Sequence, residues 1–156
     1  NIDGGLSKFL KGGFEISSDV AVNTEGESYV GWNWVANGGT TAANTDGSDA
    51  TLASTTQANQ TAGFSIVTYT GNATAGAKVA HGLSQAPEWL WIQGRSINSG
   101  GKIYHHKNTA NPETDYLALH ATDATFDSAW LNDTAPDAKC FTIGGTGVAT
   151  NNNNET

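Results

Sequence analysis

The chain carries its apolar residues in short runs that alternate with polar ones at every second position, the period of a strand with one buried face. Ser28–Val35 shows the alternation most plainly, with Val30, Trp32 and Trp34 on one face and Tyr29, Gly31 and Asn33 on the other. The first face is expected to be core, and Gly31 to admit a close neighbour on the second. Phe64–Thr70 is dense in β-branched and aromatic residues, which suit a pleated, half-buried surface. Gly71-Asn72 breaks that run, and Lys78–His81 resumes it until Gly82. Pro87 biases Ala86 towards extended geometry, so Glu88–Gln93 is expected to follow directly as a strand. Lys102–Lys107, Asp115–His120 and Lys139–Ile143 continue the series, and Gly13–Ser17 precedes it. Two places fit more than one period: Leu6, Phe9 and Leu10 permit one helical turn, while Phe126 and Trp130 fit a helical turn or a bent strand. Short strands separated by Gly, Asn and Pro turns predict an all-β fold, an antiparallel β-sandwich of jelly-roll or concanavalin-like type.

One segment breaks the pattern. From Ala36 to Thr61 the chain is Gly, Thr, Ala, Asn and Ser with two Asp and two Gln, and Leu52 is its sole large apolar residue. Such a stretch cannot bury enough surface to offset its own ordering entropy. It is expected to be a long Gly/Thr/Asn-rich connection, with an edge strand near Thr51–Gln57. The chain then divides into residues 1–35, the connection 36–61, and a main unit over 62–156.

The ends of the chain echo each other. Gly13-Phe14-Glu15-Ile16 returns as Cys140-Phe141-Thr142-Ile143, and the stretch from Val20 to Ser28 returns, loosely, from Val148 to Thr156. The first copy goes on to Tyr29-Val30-Gly31-Trp32, while the second stops. Read as a tandem unit, residues 1–35 close a preceding copy and the main unit lacks its last strand. The expectation is that the natural chain is longer, or that Ser28–Val35 fills the missing position.

Composition narrows the function. Only 14% of residues are charged and the net charge is −8, with seven Lys and Arg in all. A nucleic-acid groove needs clustered basic side chains, and an anionic membrane surface would repel this chain, so neither partner is expected. No apolar run approaches the roughly 20 residues of a membrane helix. The single Cys140 excludes an intrachain disulfide and a Cys-rich metal site; a small buried side chain is expected there.

The candidate chemistry is sparse. His105 and His106 are adjacent, so on a strand they point to opposite faces, and His81 reads as a loop-packed histidine. Asp46-Gly47-Ser48-Asp49 lacks the alternating acids of a calcium loop and reads as an Asx turn. Glu88 is the one acid embedded among strand aromatics, with no partner for glycoside hydrolysis. No metal site, cofactor or catalytic residue is expected, and the chain does not read as an enzyme. Aromatic side chains can stack on sugars, and Trp89, Trp91, Tyr104 and Tyr116 are the candidates for a ligand-binding face, against the competing expectation that they form the core.

Several motifs in order carry a resemblance: Tyr29-Val-Gly-Trp-Asn-Trp34, Asn44-Thr-Asp-Gly-Ser48, Ala62-Gly-Phe-Ser-Ile-Val-Thr-Tyr-Thr-Gly-Asn72, His81-Gly-Leu83 with Ala86-Pro87, Tyr104-His105, and Trp130-Leu-Asn-Asp-Thr-Ala-Pro136. Together they resemble a repeated domain of large structural proteins in marine bacteriophages, often accompanied by concanavalin-like or laminin-G lectin modules. The resemblance covers most of the chain from Gly13 onward. It implies a virion component, such as a phage tail fibre or appendage module, acting in host-surface attachment. The partners it implies are other virion proteins, further copies of the chain in a homo-oligomer, and a cell-surface glycan. A purely architectural role, as a capsid decoration, head fibre or spacer without ligand, is the alternative.

Overall fold

The computed structural model describes residues 5–34, 42–44, 49–97, 100–119, 121–147, 149–154 and 156. The fold is all-β, in antiparallel sheets. The chain forms two units, Asn1–Asn33 and Trp34–Thr156. No helix among the described residues is long and apolar enough to cross a membrane.

The first unit is a hairpin followed by a looped segment. Strands β1 (Leu6–Leu10) and β2 (Gly13–Ile16) pair antiparallel, with Phe9 opposite Phe14 and Lys8 opposite Glu15. The helical turn permitted at Leu6, Phe9 and Leu10 is therefore a strand. The reason is the tight turn at Lys11 and Gly12, where Gly12 takes φ +87° and folds the chain back on itself. Ser28–Val35, the clearest strand pattern in the sequence, also departs from expectation; its last residue, Val35, lies outside the described residues. Residues 28–34 make no ladder, and Val30 and Trp32 stand 80% and 78% exposed. Alternation qualifies a segment for a sheet but does not supply the neighbouring edge that its backbone needs.

In the second unit, β3 (Ala42–Asn44), β4 (Ser54–Asn59) and β5 (Phe64–Tyr69) form one sheet in that order. The edge strand expected near residues 51–57 is thus the middle strand β4, flanked on both sides. Its polar side chains find partners: Ser54 Oγ donates to the Ala80 carbonyl at 3.3 Å, and Ser54 and Thr56 are buried. Strands β6 (Ala77–Ala80), β7 (Trp89–Ile92), β8 (Lys102–His105), β9 (Asp115–Ala118), β10 (Phe126–Asp127) and β11 (Cys140–Ile143) follow. A four-stranded sheet runs β10-β9-β8-β7, and β11 pairs with β6. Residues 121–131 hold both β10 and a short 3-10 turn, Ala129–Leu131.

The core gathers Val79, Ile92, Tyr104, Trp130, Leu131, Phe141 and Ile143, with Leu52, Val67, Tyr69, Leu90 and Tyr116 packed against it. Trp130 is fully buried, and its indole N–H donates to the Asp115 carbonyl at 2.9 Å. Cys140 is buried in β11, and burial raises its thiol pKa. Gly71 permits a close backbone approach, since a Cβ there would collide with the Asn152 carbonyl oxygen. Asn151 fixes the segment beyond β11: its side-chain amide donates to the carbonyls of Thr74 and Gly144, both at 2.8 Å, and its oxygen accepts from the Asn72 N–H at 2.8 Å.

Candidate functional site

Strand β7 sorts its four residues by face, as its period of two requires. Leu90 and Ile92 turn to the core, while Trp89 and Trp91 stand outward at 47% and 52% exposure. The two indoles meet edge to face, with centroids 6.4 Å apart and planes at 67°. Pairing with β8 sets His105 opposite Trp89 and Ile103 opposite Trp91. Ile103 is buried and His105 is exposed, so the outward patch consists of two indoles and one imidazole. Gly101 shapes it further, because a Cβ there would overlap the Trp91 indole nitrogen. Only a glycine leaves that indole room to lie where it does.

A polar margin borders the patch. The His106 N–H donates to the Glu88 carbonyl at 2.9 Å, and His106 Nδ1 lies 3.7 Å from the Glu88 carboxylate. The His105 and His106 rings touch edge to face, 5.2 Å between centroids, because His106 has already left the strand. Among the described residues no three His, Cys, Asp or Glu side chains converge in a way that could hold a metal ion. His120 and residues 46–48 of the Asp46–Asp49 turn lie outside the described residues.

The four aromatic candidates therefore separate into two pairs. Trp89 and Trp91 share the outward face, but Tyr104 and Tyr116 do not join them. Tyr104 is 5% exposed within the core, and burial, with a smaller contribution from Glu113, raises its pKa. Tyr116 is stacked on Phe126 at 5.1 Å, and the Lys102 ammonium sits 3.4 Å from its ring centroid. Both its ring faces are taken, which leaves no platform for a sugar. His105 was missed among the candidates; its register with Trp89 is the signal that finds it, and register belongs to the pairing of two strands.

His81 is a structural residue. It is 2% exposed, its Nδ1 accepts from the Leu83 N–H at 3.1 Å, and its Nε2 lies 3.1 Å from the Asp137 carbonyl. That pair of partners fixes the Nε2-protonated neutral tautomer, and burial lowers its pKa. Asp137 lies below the usual carboxylate range because the N–H groups of Cys140 and Lys139 bond its carboxylate.

A second concave feature lies beside the aromatic patch. A groove of about 910 Å³ is lined by every residue of β5 and every residue of β7, together with the loop from Leu83 to Glu88, Phe141 and Thr156. At one end of it the Trp34 ring stacks on Phe64 at 5.5 Å, nearly parallel.

Over residues 2–156 the chain matches a domain family of unknown function, DUF7483, and it belongs to that family. No curated protein and no solved structure matches it.

Proposed function

We propose that this family member is a virion structural module, part of a phage tail fibre or related appendage, that contacts host-surface glycan through the Trp89–Trp91 face. The sequence resemblance to marine-phage structural proteins supports the virion setting and the extracellular particle as its location. The observation that carries the glycan reading is the exposed, edge-to-face pair of indoles on β7. Two large apolar rings held in water on a sheet face offer stacking surface to the C–H face of a sugar, and Glu88 and His105 supply polar groups at the rim. One such patch binds weakly, and a homo-oligomer multiplies it by raising the effective concentration of the second contact. The reading includes no catalytic step, no cofactor, no nucleic acid and no membrane insertion. In the same terms the three sheets of the second unit form a β-sandwich.

The test is a glycan array built from host-surface polysaccharides, probed with the multimerised chain and with Trp89→Ala and Trp91→Ala. Both side chains are half exposed, so thermal midpoints should be nearly unchanged while binding falls by an order of magnitude or more. Retained binding in the double variant would refute the assigned face. The architectural alternative is favoured by the groove between β5 and β7, and the complete absence of glycan binding by the intact chain would select it.

A further inference from the structure

The groove beside β7 is a gap between two sheet edges. Successive side chains of a strand point to opposite faces, so a groove following one face touches alternate residues. This one touches all of β5 and all of β7, and each of those strands ends its sheet. Edges of this kind present backbone N–H and C=O groups that can accept a further strand.

The direction of that strand is set by the bonding of Asn151, Asn154 and Thr156. Ala73 donates to the Asn151 carbonyl at 3.1 Å and Asn154 donates to the Gly71 carbonyl at 3.0 Å. Residues 151–154 therefore run antiparallel to the stretch that follows β5. Arg95, just beyond β7, donates to the Thr156 carbonyl at 2.6 Å. A strand continuing this path lies antiparallel to both β5 and β7.

The first unit contains a segment that fits. It repeats the path of residues 140–156 in its bonding as well as its sequence. Asn23 Nδ2 donates to the Ser17 carbonyl at 2.9 Å, as Asn151 Nδ2 does to the Gly144 carbonyl at 2.8 Å. Gly26 takes φ +82° where Asn154 takes φ +61°. In that correspondence Thr156 stands where Ser28 stands, and residues 29–34 come next. Continued from the Asn154–Gly71 bond, the register sets Val30 opposite Val67 and Trp32 opposite Ser65. Val30 and Trp32 then share the face of Val67 and Tyr69, which pack on the core, and the large indole faces a small side chain. The donor has the six-residue length of β5.

The apolar residues of the first unit are also unsatisfied as they stand. Phe14 and Ile16 are 41% and 39% exposed, whereas their counterparts Phe141 and Ile143 are buried. Contiguous exposed apolar surface of this kind marks an interaction site.

We propose that the groove between β5 and β7 accepts residues 29–34 of a second copy of the chain, as a strand antiparallel to both edges. Each copy gives one strand and takes one. The contact joins unlike surfaces, so it closes as a reciprocal exchange between two copies or as a larger ring, or runs on as an open filament. This goes beyond the glycan reading and stands without it.

Sedimentation velocity of the full chain over a range of concentrations tests it. Species larger than the monomer should grow with concentration and vanish in Val30→Asp/Trp32→Asp. A synthetic peptide of residues 29–34 should cap the acceptor and break the assemblies down to peptide-bound monomer. Both substituted side chains are exposed, and circular dichroism with thermal melts verifies that the variant is folded. A chain that remains monomeric at every concentration overturns the proposal, whether its groove stays open or takes its own segment. Assemblies that survive the double substitution or ignore the peptide overturn it equally.

Discussion

Replacing Asn151 with alanine tests whether one buried amide holds the path of the chain beyond β11. Asn151 is 1% exposed and makes three side-chain hydrogen bonds, to the carbonyls of Thr74 and Gly144 and from the Asn72 N–H. Two acceptors and one donor around it leave a single orientation of the amide. Removing it forfeits about 1 kcal/mol at the partly solvated Asn72 N–H and roughly 1–2 kcal/mol at each of the two carbonyls. The sum is about 3–5 kcal/mol, a large fraction of the ~5–15 kcal/mol that stabilises a domain. In urea denaturation the slope should be unchanged and the midpoint should fall by about 1–3 M. Asn151→Asp is the sharper control. It keeps the shape and the acceptor for Asn72 but turns a carboxylate onto two carbonyl oxygens. At neutral pH it should be at least as damaging as alanine, and against wild type at the same pH it should recover as acid returns a donor proton. A midpoint within a few tenths of a molar of wild type for either variant would refute the reasoning.

Two further outcomes follow from the geometry. His81 is held neutral with its pKa lowered by burial, so the unfolded chain binds its proton more readily than the folded one. Stability from this site is complete above the ordinary histidine value of 6.5, declines as pH falls below it, and levels off beneath the lowered folded value; a His81→Gln variant should lose this part of the pH dependence in urea titrations. Gly101→Ala should displace the Trp91 indole, whose nitrogen occupies the place of the new Cβ, changing near-ultraviolet circular dichroism and glycan binding. The far end of a flexible side chain can move at little cost, so the melting temperature should hold within a few degrees.

Strand patterns were legible where apolar alternation and turn residues mark a segment by themselves. Phe64–Tyr69, Trp89–Ile92 and Cys140–Ile143 sit inside their expected ranges, because alternation and the Pro87 and Gly82 boundaries are local signals. β4 was less legible because its sequence is Ser-Thr-Thr-Gln-Ala-Asn. Apolar pattern does not register a polar strand whose Ser54 hydroxyl bonds the Ala80 carbonyl of β6. Residues 28–34 fail in the opposite way, with an ideal pattern and no ladder among the described residues. At the candidate site, the side chains of Trp89 and Trp91 were readable as a pair at i and i+2. Which face is solvent was not, because that depends on the sheet register that sends Leu90, Ile92 and Tyr104 inward together. Tyr116 was lost as a candidate through Phe126 and Lys102, two residues from different strands that close on its ring.

The lone thiol of Cys140 gives the second unit a built-in clock. It is buried in β11, whose backbone pairs with β6 along its length, and only the thiolate attacks a disulfide reagent. Labelling therefore waits for β11 to open, and its rate under native conditions reports the free energy of that opening, separately from the fraying of any loop. Because the chain has no other cysteine, the signal needs no substitution to assign. Labelling limited by reclosure would follow the stability of the β6–β11 pair, and labelling at high reagent concentration would follow the rate at which that pair separates.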